Sequence, residues 1–277
     1  MAKEEQGLIF STFFLLLFIF IYFLFSIHFL ILTFFSCHGV IANNPYLGED
    51  FFQQSLELFQ TYYPIEIATG ISKEEKSIKM VEWWSRAHEL MIKHGLREDD
   101  LKMLVETANI DLREHGSEFI NLLHEQEVPL LIFSAGISNV LEKFLQKKDI
   151  YHSNIQVFSN TMTFQNGTLN GFAGDLIHSL NKNAFSVKNN TQRKEERKYL
   201  LLLGDNPSDI HMSDGIDFSE QISIGFLNDS IQERLELYTQ IFDVVLLDDS
   251  PMDFVLDLTK EILNHPKTIE QESPLVE

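Results

Sequence analysis

The chain has 277 residues, 44% of them hydrophobic, with 21 Lys and Arg against 41 Asp and Glu and a formal net charge of −20. That length suits one large domain, or a core with an inserted subdomain. A surface this acidic repels nucleic acid at long range, and the one local basic run, Arg193, Lys194, Arg197 and Lys198, is interleaved with Glu195 and Glu196. We read that run as a solvated face, so no nucleic acid polymer is expected as a partner. Cys37 is the only cysteine, which rules out an intrachain disulfide and leans toward a reducing compartment.

From Leu8 to Phe35 there is no Asp, Glu, Lys or Arg, and ten of the 24 Phe lie between Phe10 and Phe35. The stretch admits three readings. A membrane-spanning helix needs about 20 apolar residues, so the stretch is long enough to be an anchor. A signal peptide has a shorter apolar region and a basic leading end, whereas here Lys3 is outnumbered by Glu4 and Glu5. The third reading is a misassigned exon: Phe, Leu, Ile and Ser have pyrimidine-rich codons, so a translated polypyrimidine tract would look like this. No Lys or Arg occurs between Lys3 and Lys73, so charge gives a membrane segment no orientation.

Residues 37–125 read as a helical cap. Helix FFQQSLELFQTYY breaks at Pro64, with a turn near Gly70. Ser72-Lys73-Glu74-Glu75 has the form of a capping box and opens a helix that Gly95 stops. Along it Met80, Trp83, Trp84, Ala87, Leu90 and Met91 recur at helical spacing, as a core stripe or, for one tryptophan, a pocket wall. A third helix follows Arg97-Glu98-Asp99-Asp100, and a fourth contains SEFINLLHEQ.

Residues 126–265 change pattern. Leu130–Phe133 is a short apolar run with turn chemistry after it, hence a buried strand, and helix ISNVLEKFLQKK follows. Next come strand IQVFSN, a hairpin around Asn166-Gly167, and a helix-poor stretch to Lys198. Strand YLLLLGD, helix PSDIHMSDG, strand ISIGF, helix SIQERLELYTQI, strand FDVVLL and a last helix complete the span, before a polar tail at 266–277. This alternation indicates an α/β fold, a parallel sheet covered on both faces, with ligands beyond the carboxyl ends of its strands.

Ser134 and Asp205 fall at such ends. Ser134-Ala135-Gly136 follows a buried strand and opens a helix, and offers a hydroxyl and backbone N–H groups to an anion. Asn181-Lys182 lies in a polar loop, where a lysine neutralises phosphate charge. Asp205 and Asp209 form a carboxylate pair of the kind that holds Mg²⁺ beside a phosphate. Chemistry at such a site needs a second pair spaced D-x-D on a neighbouring strand, and the sequence contains no D-x-D.

In this order the elements resemble the haloacid dehalogenase-like phosphohydrolases. TYYPIEI, EEKSIKMVEWWSRAHELM, LLIFSAGISNVLE, QVFSNTM, GFAGDLIHSLNKN, LLLGDNPSDIHMSDG and IGFLND look more closely like the cytosolic pyrimidine 5′-nucleotidase family (type III), which includes enzymes acting on 7-methylguanosine monophosphate. The resemblance runs from about Ser36-Cys37-His38 to Leu263. It implies a Rossmann-like core under a helical cap, a cytoplasmic setting, and Mg²⁺-dependent hydrolysis of nucleoside 5′-monophosphates through a phosphorylated aspartate. By position, Asp205 and Asp209 match the metal-binding aspartates, Ser134, Ala135 and Gly136 the phosphate loop, Lys182 the lysine that stabilises the phosphoryl group, and Glu66 the cap glutamate that reads the base.

The chain also departs from the family. The D-x-D-x-T strand expected before Ser36 is absent, and with it the nucleophile and the acid/base. Ala87 stands where a cap serine is usual, and Asn206-Pro207-Ser208 replaces the usual Ser-x-Gly of the acidic loop. The expectation is a 5′-nucleotidase by family that is inactive as written. The alternative is a membrane-attached, non-catalytic nucleotide-binding relative.

Overall fold

The computed structural model of the chain describes residues 9–10, 23–27, 32–33, 37–42, 44–68, 70–182 and 199–264. In chain order these form strands β1 (Ile9–Phe10), β2 (Phe23–Ile27) and β3 (Leu32–Thr33), and helices α1 (Cys37–Ala42), α2 (Glu49–Ile67), α3 (Lys73–Lys93) and α4 (Asp100–Thr107). Strand β4 (Asp111–Leu112), helix α5 (Gly116–Glu125), β5 (Leu130–Ile137), α6 (Ser138–Lys147), β6 (Ile155–Gln165) and β7 (Thr168–Ala173) follow. The chain then gives β8 (Tyr199–Gly204), a 3₁₀ helix at Pro207–Ser213, β9 (Glu220–Leu227), α7 (Ile231–Ile241), β10 (Val244–Leu247) and α8 (Asp253–Asn264).

Eight of the described strands make one sheet in the order β1-β10-β9-β8-β2-β5-β6-β7. The six from β10 to β6 run parallel, and β1 and β7 close the edges antiparallel. β5 and β8 read as near-continuous apolar runs because both of their faces are covered; Leu130–Phe133 and Leu200–Leu203 are all buried. The β6–β7 hairpin turns at Asn166 (φ 52°) and Gly167 (φ 75°), the left-handed pair that a two-residue turn requires.

The expected absence of a catalytic strand separates into two findings. The position between β5 and β8 is filled: β2, drawn from the Phe-rich stretch, pairs parallel with both, Ile27 opposite Leu203 and Ser26 opposite Leu131. A run of β-prone apolar residues suits a strand between two buried strands as well as it suits a bilayer. What is missing is the acidic motif, since no Asp or Glu occurs between Glu5 and Glu49. The reading of Leu8–Phe35 as one spanning helix is overturned at β2, and among the described residues no helix is long and apolar enough to cross a membrane. His28, the basic run at 193–198 and the tail at 266–277 lie outside the described residues.

The helical span 37–125 divides by packing. Leu101, Leu104 and Val105 of α4 and Phe119, Ile120 and Leu123 of α5 are buried in the cluster that contains Leu130 and Ile132 of β5, so these helices form a layer on the sheet. Burying each such side chain is worth about 1.5–3 kcal/mol. Helices α2 and α3 pair with each other, and Tyr62 stacks on Trp83 between them (centroids 5.9 Å apart). The capping box is formed: Glu75 N donates to Ser72 Oγ at 3.2 Å and Ser72 N to Glu75 Oε2 at 3.3 Å. Pro64 does not break α2, which runs on to Ile67. Proline lacks the N–H that would bond to the carbonyl four residues back, so one backbone hydrogen bond is forfeited while the helix continues. At the end of α2 the Glu66 carbonyl, one of the last four with no intrahelical partner, accepts from Lys76 Nζ at 2.9 Å.

Candidate functional site

The carboxyl ends of β5 and β8 flank β2, and each carries one part of the site. After β8 the chain turns at Gly204, where an added Cβ would lie 2.6 Å from Asp209 Cβ, so the close approach of Asp209 requires glycine. Asp209 is fully buried. Its Oδ2 accepts from the backbone N–H groups of Asp205 and Asn206, both at 3.0 Å, and its Oδ1 accepts from Lys182 Nζ at 2.8 Å.

Asn206 caps the 3₁₀ turn by accepting from Ser208 N at 3.0 Å, and Pro207 sits at the first helical position, where a missing N–H is harmless. Of the segment PSDIHMSDG, Pro207–Ser213 forms a 3₁₀ helix rather than an α-helix. Asp205 is partly exposed, and its backbone carbonyl accepts from Tyr238 Oη at 2.5 Å. Burial first, and then the Asp209 carboxylate, push the Asp205 carboxyl well above the usual carboxylate range.

After β5 the strand geometry continues through Ser134-Ala135-Gly136 to Ile137, with a register irregularity, and α6 starts only at Ser138. The loop is therefore a bulged strand end rather than the opening of a helix. Ser134 is buried, and its Oγ accepts from Gly136 N at 3.0 Å. Ala135 O accepts from Trp84 Nε1 at 2.7 Å, so the indole ties α3 to the loop.

Residues Ile177–Lys182 hold these parts together. Asn160, buried on β6, accepts from Ile177 N at 2.9 Å and donates to Ile177 O at 2.8 Å and Ala135 O at 2.9 Å. His178 approaches Ser77 Oγ of α3 at 3.4 Å through Nε2, while its Nδ1 accepts from Leu180 N at 3.2 Å. That pairing fixes the neutral Nε2–H tautomer. Desolvation, and then the charge of Lys182, lower His178 to about 4. Ser208 Oγ donates to Ser179 O at 2.8 Å, which joins the loop to the acidic turn. Glu66, at the end of α2, is raised by burial, while the nearby Ser179 hydroxyl and the Lys182 and Lys76 ammoniums pull it the other way.

The expected residues Glu66, Ser134, Ala135, Gly136, Lys182, Asp205 and Asp209 are thus linked through one six-residue loop. Ala87, at the position of the usual cap serine, is half-buried on α3 with no hydroxyl to offer. Sequence reasoning missed Asn160, His178 and Tyr238. It also missed Arg113, a buried residue that donates to Asn228 Oδ1 at 2.6 Å, Ser250 O at 2.9 Å and Asp249 Oδ1 at 3.0 Å, joining the ends of β9 and β10. The sequence neighbours of Asn160 and Tyr238 gave no signal: Asn160 lies between Ser159 and Thr161, and Tyr238 between Leu237 and Thr239.

The pair expected to share a cation divides in its roles. Asp209 has both oxygens engaged, one of them by an ammonium, and Asp205, beside it, is the partly exposed member of the pair. Among the described residues no group of three His, Cys, Asp or Glu side chains is placed to hold one. The donors present do not complete the oxygen shell that Mg²⁺ takes.

A family model described as pyrimidine 5′-nucleotidase (UMPH-1) matches residues 32–263. The 7-methylguanosine phosphate-specific 5′-nucleotidase A of Xenopus laevis is 42% identical over 224 residues, covering 79% of this chain and 77% of that protein. The crystal structure of cytosolic 5′-nucleotidase IIIB bound to cytidine superposes with a TM-score of 0.75 at 28% identity, over 87% of this chain and 86% of that one. A haloacid dehalogenase family hydrolase from Salmonella enterica serovar Typhi shares the fold at 12% identity, with a TM-score of 0.56 over 84% of this chain and 69% of that one.

Proposed function

Since the chain belongs to the pyrimidine 5′-nucleotidase (UMPH-1) family and has the haloacid dehalogenase-like fold, we propose that it binds nucleoside 5′-monophosphates at the Ser134–Lys182–Asp205 site and hydrolyses them little or not at all. Pyrimidine nucleotides and 7-methylguanosine monophosphate are the substrate class, from the family's description and the names of its relatives. A cytosolic setting agrees with the name of the solved relative.

The observation that carries this reading is a mismatch between two neighbouring strands. β8 ends in the acidic turn that the family chemistry uses. β2, paired beside it, comes from a stretch with no carboxylate. The residues present can bind and orient. The Lys182 ammonium neutralises phosphate charge, and the Ser134 hydroxyl with the backbone N–H groups of its loop receives phosphate oxygens. Glu66, held by α2 near Lys182, faces the nucleoside end. Trp84 and Asn160 keep the Ala135 carbonyl turned away from the anion.

Covalent phosphoryl transfer needs an attacking carboxylate, and losing one costs several orders of magnitude in rate. Magnesium serves haloacid dehalogenase-like phosphatases generally, but the donor set here is incomplete, so no step is assigned to it. Thermal denaturation of the full chain with CMP, UMP and 7-methylguanosine monophosphate tests the binding. A saturable rise in Tm for the monophosphates and none for the parent nucleosides is expected. No rise with any of them contradicts the reading.

A further inference from the structure

Resting on that reading of the site as a nucleotide pocket, we infer that this chain binds its nucleotide phosphate without a divalent cation. Lys182 occupies the electrostatic role that a metal would share.

Three observations converge on this. First, strand β2, which lies between β5 and β8, brings no carboxylate to complete a cation shell with Asp205: the sequence has no Asp or Glu from residue 6 to residue 48, and among the described residues no three His, Cys, Asp or Glu side chains are grouped to hold a metal. Second, Asp209 is fully buried, and its Oδ1 lies 2.8 Å from an ammonium that is itself buried. A cation touching that oxygen would be pressed against a like charge without water to screen it. Third, Asp209 Oδ2 is saturated by two backbone N–H donors at 3.0 Å, a geometry that fixes the acidic turn without an ion. One partly exposed carboxylate remains. A small cation that dehydrates reluctantly gains little from a single such ligand.

The anion side of the site is intact. Lys182 spends one of its three donors on Asp209 and keeps two. The Ser134 loop is braced from two sides, by Trp84 and by Asn160. The site therefore presents a buried cationic group and oriented donors with no requirement for a metal bridge.

The test uses the full chain and three titrations. Mg²⁺ or Mn²⁺ alone, followed by calorimetry, is expected to give no saturable binding short of the millimolar range. CMP titrated in EDTA and in excess Mg²⁺ is expected to give the same Kd within about twofold, and tightening by about tenfold or more in Mg²⁺ overturns the inference. Asp205→Asn takes away a carboxylate that a bridging cation would need, so without such a cation affinity for CMP should hold in EDTA and in Mg²⁺ alike. A bridging metal predicts the reverse, a loss, and that result overturns the inference. A micromolar cation isotherm that disappears in Asp205→Asn overturns it as well while leaving the nucleotide pocket standing. Absence of CMP binding in both buffers overturns the pocket reading and the inference with it.

Discussion

Lys182 Nζ meets Asp209 Oδ1 at 2.8 Å with the two side chains 3% and 0% exposed. Each group is the other's compensation for leaving water. Removing one partner leaves a buried charge alone, which costs about 3–5 kcal/mol. Lys182→Met should lower unfolding stability by that order in urea titration, and adding Asp209→Asn should recover most of the loss. Equal losses for the single and double variants would deny the coupling.

Tyr238 is fully buried and donates to the Asp205 carbonyl at 2.5 Å, while Arg234 donates to its oxygen at 3.0 Å. Tyr238→Phe keeps the packing and deletes the hydroxyl. A loss of about 1–2 kcal/mol follows from one missing buried hydrogen bond and one deprived donor. An unchanged denaturation midpoint would show that the acidic turn stands without it.

Asn160 joins the Ser134 loop to the Ile177–Lys182 loop through bonds of 2.8–2.9 Å. Asn160→Ala deprives the Ile177 N–H and carbonyl of their partner and leaves Ala135 O to Trp84 alone, at about 2–4 kcal/mol. The same variant should weaken CMP binding, because both anion-binding loops lose their common anchor. Full CMP affinity in a destabilised variant would separate the two effects and contradict the bracing role.

His178 gives the fold an acid sensitivity. Its pKa is held at about 4 against 6.5 when free, so above pH 6.5 both folded and unfolded chains carry it neutral and it contributes no slope. Between 6.5 and about 4 the unfolded chain binds a proton that the folded chain refuses, and stability falls as pH falls, by about 3 kcal/mol in all. His178→Asn retains an acceptor for Leu180 N and should flatten that part of the stability curve, as read by denaturant midpoints between pH 7 and 4.5. An unchanged slope would place the acid sensitivity elsewhere.

The core after residue 129 was legible because alternation of apolar runs with helical spacing has one economical solution, a covered parallel sheet. Strand β2 was not. An apolar run without Asp, Glu, Lys or Arg suits a bilayer and a central strand of a covered sheet equally, and the Ser and His scattered in it do not set a strand's ends apart. Pro64 misled for a local reason: its cost is one lost bond and a clash with the preceding turn, which the packing of α2 against α3 outweighs and the sequence alone does not show. Of the site, Asp205, Lys182 and Ser134 were legible from their places after strands and in a polar loop. The bracing by Asn160, Trp84 and Tyr238 spans 25 to 51 residues of sequence, and pairings of that range leave no spacing signal.

The central claim is that the nucleotide pocket lacks its attacking carboxylate. Phosphate release from CMP, UMP and 7-methylguanosine monophosphate by the purified 277-residue chain, with Lys182→Met as the background, tests it most directly. The account predicts release no faster than that background from nucleotides that nonetheless raise the Tm. Phosphate release well above the background, proportional to protein and lost in Lys182→Met, would contradict it.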